Sequence, residues 1–184
     1  MRLYRVCPFR ADATAEQPGH PLFVPHPKGA GRIDSPASYS VLCLSSAPGG
    51  AVAEAFGSLP RWTAAMFDTP SLVRGSRALA TYDLADPSGV LDLDDPDALK
   101  RLGLRPSDIV TRDRLVTQRW ALAAYREHRW IGVRWWSYYD PRWHSYGLWD
   151  ISSLRLTRTE ILGLGHAAIV EAAGVLGRPL EDRR

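Results

Sequence analysis

The chain has only two cysteines in 184 residues, Cys7 and Cys43. Neither belongs to a Cys-x-x-Cys pair, which excludes a disulfide framework and the common thiolate zinc spacings. Lysine is nearly missing: 21 of the 23 basic residues are arginine, leaving Lys28 and Lys100. No run approaches the ~18 consecutive apolar residues of a membrane-spanning helix. Met1–Val6 contains arginine but is followed by no long apolar stretch, so it does not read as a signal peptide. The expectation is a cytoplasmic protein with reduced thiols and no membrane association. Phosphate-loop glycine patterns and the Gly-x-Ser-x-Gly elbow are also lacking. His20, His26, His128, His144 and His166 show no metal-ligand spacing, so no metal is expected. The acidic run Asp92–Asp97 lacks the ligand order of a calcium loop and reads as a solvated turn and helix N-cap.

What is present is ordinary for a folded protein. Apolar residues make up 45% and charged residues 23%, and the length favours one domain over residues 1–184. The net charge is +3, and residues 111–184 hold the basic excess, with 12 basic and 8 acidic groups. Compositional bias accounts for most of the arginines. The functional alternative is bidentate binding of phosphate or carboxylate.

Alternation over Leu3–Val6 predicts a first strand. Residues 10–38, rich in Gly, Pro, Ala and His, predict a long loop of the kind that carries function. Tyr39–Leu44 predicts a buried strand. Ser46 as N-cap and Pro48 in the first turn predict a helix over Gly49–Phe56, stopped by Gly57. A second short helix is expected over Pro60–Phe67. Strands follow at Arg77–Leu84 and Val90–Leu93, then a helix at Pro96–Leu102 ended by Gly103. Asp113–His128 predicts a helix with Val116, Trp120, Ala123 and Ala124 on one face. Trp130–Trp136, Tyr146–Asp150 and Leu154–Leu156 read as strands. Ala167–Leu176 reads as a last helix closed by Gly177-Arg178-Pro179, and Arg183 and Arg184 as a frayed terminus. Strands and helices mix without strict βαβ alternation, which makes the fold class α+β.

Six of the seven tryptophans fall between Trp120 and Trp149, among Arg126, Arg129, Arg134 and Arg142. Such interleaving suits nucleobase stacking. It suits equally a core wall of large aromatics, which is the favoured reading for most of them. Without a recognisable nucleic-acid motif, no direct nucleic-acid contact is expected.

Three segments, taken in order, are more specific than any one alone: Leu3-Tyr4-Arg5-Val6; Gly31-Arg32-Ile33-Asp34-Ser35-Pro36-x-x-Tyr39 with Val41–Leu44 and Ala51-Val52-Ala53-Glu54; and Gly132-Val133-Arg134-Trp135-Trp136-Ser137. Together they resemble the RES domain family over about residues 3–156. The resemblance implies an ADP-ribosyltransferase-like fold, a split central β-sheet flanked by helices around an NAD cleft. It implies an enzyme that consumes NAD by phosphorolysis or hydrolysis, with protein mono-ADP-ribosylation as the alternative. No cofactor is implied beyond NAD as substrate, with inorganic phosphate a candidate co-substrate. Many members are toxins held by a helix-turn-helix antitoxin of the Xre type, and a homo-oligomer stays open.

Position by position, Arg5 and Arg32 match the two motif arginines, Glu54 the helix glutamate and Ser137 the serine. Cys43 stands where the family usually has a site tyrosine, which puts substrate packing or full activity in question. Tyr39 is the nearby residue that could fill the space. The resemblance thus assigns Glu54, Arg32 and Ser137 to catalysis, and Arg5, Arg32, Tyr39, Cys43 and Ser137 to substrate binding. The chemistry is independently reasonable. Guanidinium groups suit a pyrophosphate, and a carboxylate suits the positive charge that builds on a sugar losing its base. Glu54 is the only acid in an apolar helix and is expected to be partly buried, while Ser137 would orient the nicotinamide ribose. A catalytically weakened RES-like binding module and a nucleic-acid-binding protein remain the rival readings.

Overall fold

The computed structural model describes residues 1–26 and 28–181, so the expected fraying of Arg183 and Arg184 lies outside the described residues. The strands are β1 (Arg2–Phe9), β2 (Leu42–Ser45), β3 (Trp62–Thr63), β4 (Ser76–Leu84), β5 (Val90–Asp92), β6 (Gly132–Trp136), β7 (His144–Leu148), β8 (Leu154–Ile161) and β9 (Leu180–Glu181). The helices are α1 (Pro48–Phe56), α2 (Pro96–Leu102), α3 (Pro106–Val110), α4 (Arg114–Tyr125) and α5 (Ala167–Leu176), with a 3₁₀ turn at Ala64–Phe67.

Seven strands form one mixed sheet in the order β5-β6-β7-β2-β1-β4-β8, and β3 and β9 pair separately. Only β5–β6 is parallel within the large sheet. The joint between β2 and β1 is a single register pair, Tyr4↔Ser45, whereas β1 and β4 pair along eight positions from Arg2↔Asp83 to Phe9↔Ser76. The sheet is therefore split into two halves that touch at one point. This is the mixed α/β architecture, with helices flanking a large central sheet, that the α+β expectation describes.

Directly opposed residues share a face of a sheet. The pairs Trp135↔Ser145, Ser145↔Ser45 and Ser45↔Tyr4 thus carry one face across the seam. On this face Trp135, Leu91 and Val133 meet Trp120, Ala121 and Ala124 of α4. On the other half of the same face Tyr4, Val6 and Leu79 meet α1 and α5. The reverse face buries Leu3, Cys7, Leu44, Tyr82 and Tyr146, with Leu22 and Val24 of the long loop packed against them. Two helical groups therefore stand on one face with the seam between them.

Local chemistry explains the elements. α2 opens on Asp95, whose carboxylate accepts from Asp97 N, has Pro96 in its first turn and closes on Gly103 at φ 66°. α5 closes likewise on Gly177 at φ 61°. Glycine is favoured at both because other residues meet their own Cβ at positive φ. α1 begins at Pro48 with Ala47 as N-cap and no side-chain cap. Ser46 does not cap it. Its hydroxyl accepts from His144 N at 2.9 Å and ties the end of β2 to β7. Gly57 ends α1 in a right-handed conformation, and the terminal carbonyls are satisfied by Trp62 Nε1 on Phe56 and Arg178 Nη2 on Gly57. α4 starts after Asp113 as expected but ends at Tyr125, and its buried face carries Thr117 and Ala121 in place of Val116 and Ala123.

Candidate active site

The gap between the two helical groups is a cavity of about 600 Å³. Its floor is the seam: Tyr4, Arg5 and Val6 from β1, Cys43, Leu44 and Ser45 from β2, and Ser145 and Tyr146 from β7. Glu54, Ala55 and Ser58 enter from α1 and its end, Arg32 and Ile33 from the long loop, and Arg112 and Arg114 from the start of α4. Tyr138 and Tyr139 close the remaining side. The lining holds four guanidinium groups against one carboxylate, so the cavity attracts anions.

Arg5 is half-buried, and its Nη1 donates to the carbonyls of Pro21 and Phe23, both at 3.2 Å. Arg32 Nη1 donates to the carbonyls of Ile109 and Thr111, both at 2.9 Å. Each arginine spends its Nη1 on the fold, and the Tyr82 hydroxyl also lies against the Arg5 guanidinium. Burial and the neighbouring Arg114 pull Arg32 below its ordinary value, while Glu54 opposes them. An arginine remains charged under such shifts.

The Arg32 backbone is held as firmly as its side chain. Thr117 Oγ1 donates to Arg32 O, and Gln118 Nε2 donates to Gly29 O and Gly31 O at 2.8 Å each. The loop that carries the arginine is thereby stapled to α4.

Glu54 is exposed to the cavity, which corrects the expectation of partial burial. Its Oε1 accepts from Ser137 Oγ at 3.0 Å and from Ser145 Oγ at 3.1 Å. Ser137 is 3% exposed and does not line the cavity. Its hydroxyl also accepts from Tyr139 N at 3.2 Å. The hydroxyl meets the cavity through the Glu54 carboxylate. The loop after Ser137 is fixed by Asp140, whose carboxylate accepts from Arg142 N, Nε and Nη2. Those bonds hold Asp140 down at about 2.

Tyr39 is not in the cavity. It is 8% exposed, donates to Ile33 O at 2.7 Å, and packs its ring on Tyr125 and Trp149. It anchors the loop beside Arg32 and leaves the space at Cys43 unfilled. Cys43 lines the cavity floor, where burial deep in the protein raises its thiol to about 11. Arg5 opposes that shift, and Glu54 and Asp34 add to it.

Three further lining residues, Ser145, Arg112 and Arg114, escape the sequence. Ser145 joins Glu54 only through the β6–β7–β2 register. Arg112 and Arg114 show in the sequence only as part of the basic excess after residue 110. Arg112 lies over the Tyr138 ring at 5.1 Å and donates to its hydroxyl at 3.1 Å. Burial and the Glu54 charge push the Tyr139 phenol up, against Arg112 and Arg178. Of the tryptophan cluster, Trp135 reaches the cavity, while Trp120 and Trp143 are core. Arg101 and Arg129 both lie over the Trp130 ring and are themselves paired to Glu127. The cluster is thus a core wall.

No curated protein matches the chain significantly. The structure is similar to a chain of the crystal structure of the M. tuberculosis MbcT–MbcA toxin–antitoxin complex. The TM-score is 0.62 at 20% identity, covering 96% of this chain and 88% of that one. At that identity the likeness is one of fold. The family model of the RES domain matches residues 2–162, a span that includes every residue lining the cavity. A match of that extent makes this chain a member of the RES domain family.

Proposed function

We propose that this chain cleaves the nicotinamide–ribose bond of NAD and acts as the toxin of a bacterial toxin–antitoxin pair. The observation that carries the reading is a single exposed carboxylate, Glu54, fixed in a cavity that four arginines line. RES-domain toxins act on NAD, and the similar structure comes from a toxin–antitoxin complex. A cavity of about 600 Å³ falls within the usual range for cofactor-sized ligands.

In this reading Arg5 and Arg32, which both line the cavity, bind the pyrophosphate through their guanidinium groups. The bond between C1′ of the ribose and the nicotinamide nitrogen breaks, and its electron pair leaves with neutral nicotinamide. Positive charge then builds on C1′ and the ring oxygen. Glu54 stabilises that charge, held by Ser137 at a fixed angle, so the stabilisation requires no reorganisation during the step. An acceptor oxygen completes the reaction at C1′. Water yields ADP-ribose and a proton, inorganic phosphate yields ADP-ribose 1″-phosphate, and a protein side chain yields an ADP-ribosylated protein. The added charge of Arg112 and Arg114 favours an anionic acceptor, hence phosphate. The proposed partner is a helix-turn-helix antitoxin of the Xre type, and the proposed location is the cytoplasm. Among the described residues no helix is long and apolar enough to cross a membrane.

A second reading rests on Cys43. With the family's usual tyrosine absent and Tyr39 turned into the core, the cavity lacks one ring, and the chain would bind NAD without turning it over. Incubation with NAD, with and without phosphate, and product identification by mass separates the readings. Nicotinamide release with a phosphate-dependent sugar phosphate supports phosphorolysis. Binding by calorimetry with intact NAD supports the weakened module.

A further inference from the structure

We infer that Ser145 is a positioning residue for Glu54, an assignment that rests on the NAD-cleaving reading of the cavity. Ser145 Oγ donates to Glu54 Oε1 at 3.1 Å, the same oxygen that Ser137 Oγ reaches at 3.0 Å. The two hydroxyls come from opposite ends of the β6–β7 connection. Ser145 pairs with Trp135 in β6 and with Ser45 in β2, and Ser137 follows the end of β6. Both are buried, at 4% and 3% exposure, whereas the glutamate is exposed in the cavity. Among the described residues nothing donates to Oε2.

The arrangement has a chemical consequence. A glutamate on a helix surface samples many rotamers, and a sugar cation forming at one point requires one of them. Two donors on a single oxygen select that rotamer and turn Oε2 to the substrate. Both donors are neutral, so they fix the carboxylate without cancelling the charge that the transition state uses. An arginine in either place would hold the glutamate but would pair with that charge. Ser145 is also the one hydroxyl of the two that borders the cavity itself.

The test compares Ser145→Ala and Ser145→Thr with the wild-type chain. A hydrogen bond to a charged group is worth roughly tenfold or more in rate when it acts in the transition state. Ser145→Ala is expected to lower kcat about tenfold while KM and the calorimetric Kd for NAD stay within about twofold. Ser145→Thr keeps the hydroxyl and recovers most of kcat. Unchanged kcat in the alanine variant overturns the inference, as does a loss that appears in KM and Kd, or a folded threonine variant as slow as alanine. A wild-type chain that releases no nicotinamide from NAD overturns the proposed function and this inference together.

Discussion

Cys43 shows how much one side chain depends on its surroundings. Its thiol is open to the cavity yet lies deep in the protein, and the cost of charging it there raises it to about 11 despite Arg5. At pH 8 the thiolate fraction should then be about a hundredfold below that of an ordinary cysteine. Iodoacetamide labelling of the folded chain, read by peptide mass at Cys43, should accelerate about tenfold per pH unit up to pH ~11. A plateau near pH 9 would show that burial does not control this thiol. At the same scale, Glu54 is legible in the sequence because it is the one acid in an apolar helix. Arg5 and Arg32 are legible through the order of the motifs. Ser145 is not, because its link to Glu54 spans 91 residues and exists only after β7 takes its register. Tyr39 misleads for the converse reason: four residues from Cys43 in sequence, it points its hydroxyl at Ile33 on the core side of the loop.

Elements marked by local chemistry are read from sequence almost to the residue. α2 has Pro96 and Gly103, and α5 has Gly177. α1 differs at its start because Ser46 is taken by β7 before it can cap. α3 and the β3–β9 pair have too few residues to leave a period, and β9 depends on a partner 118 positions away, Trp62↔Leu180. Two consequences can be measured. A Cβ at Gly50 would collide with Ser45 Oγ and lie 3.2 Å from Trp143, so α1 can seat on the sheet only with glycine there. Gly50→Ala should lower stability by about 1–3 kcal/mol in urea unfolding, and an unchanged midpoint would show that the helix can rise without cost. Gln118→Ala removes both donors that staple Gly29 and Gly31 to α4. It should raise KM for NAD several-fold with kcat little changed, because it loosens the loop that carries Arg32 and leaves Glu54 untouched. A fall in kcat alone would contradict that division of roles.

For the molecule as a whole, the decisive feature is the seam. A sheet joined by the single pair Tyr4↔Ser45 leaves room for a cavity between two helical groups on one face. The α+β class is legible from the mixed element order, but the seam is not, since no residue announces that β1 and β2 meet only once. The buried acidic hydrogens of this core set its alkaline limit. Burial raises Tyr39, Tyr82 and Cys7 above their ordinary values of 10.0, 10.0 and 9.0. The native state therefore keeps protons that the unfolded chain releases, and stability is full below pH ~9 and declines as pH rises further. The unfolding midpoint should drop steadily from pH 9 to 11, and a flat profile there would contradict the burial of these groups. The most direct measurement of the central claim is nicotinamide release from NAD, in phosphate buffer, by the wild-type chain and by Glu54→Gln, which keeps the shape and removes the charge. Release by the wild type and a fall of about a hundredfold or more in the variant, with NAD still bound, is the expected result. Equal rates for the two chains would contradict the assignment of Glu54 to the chemistry.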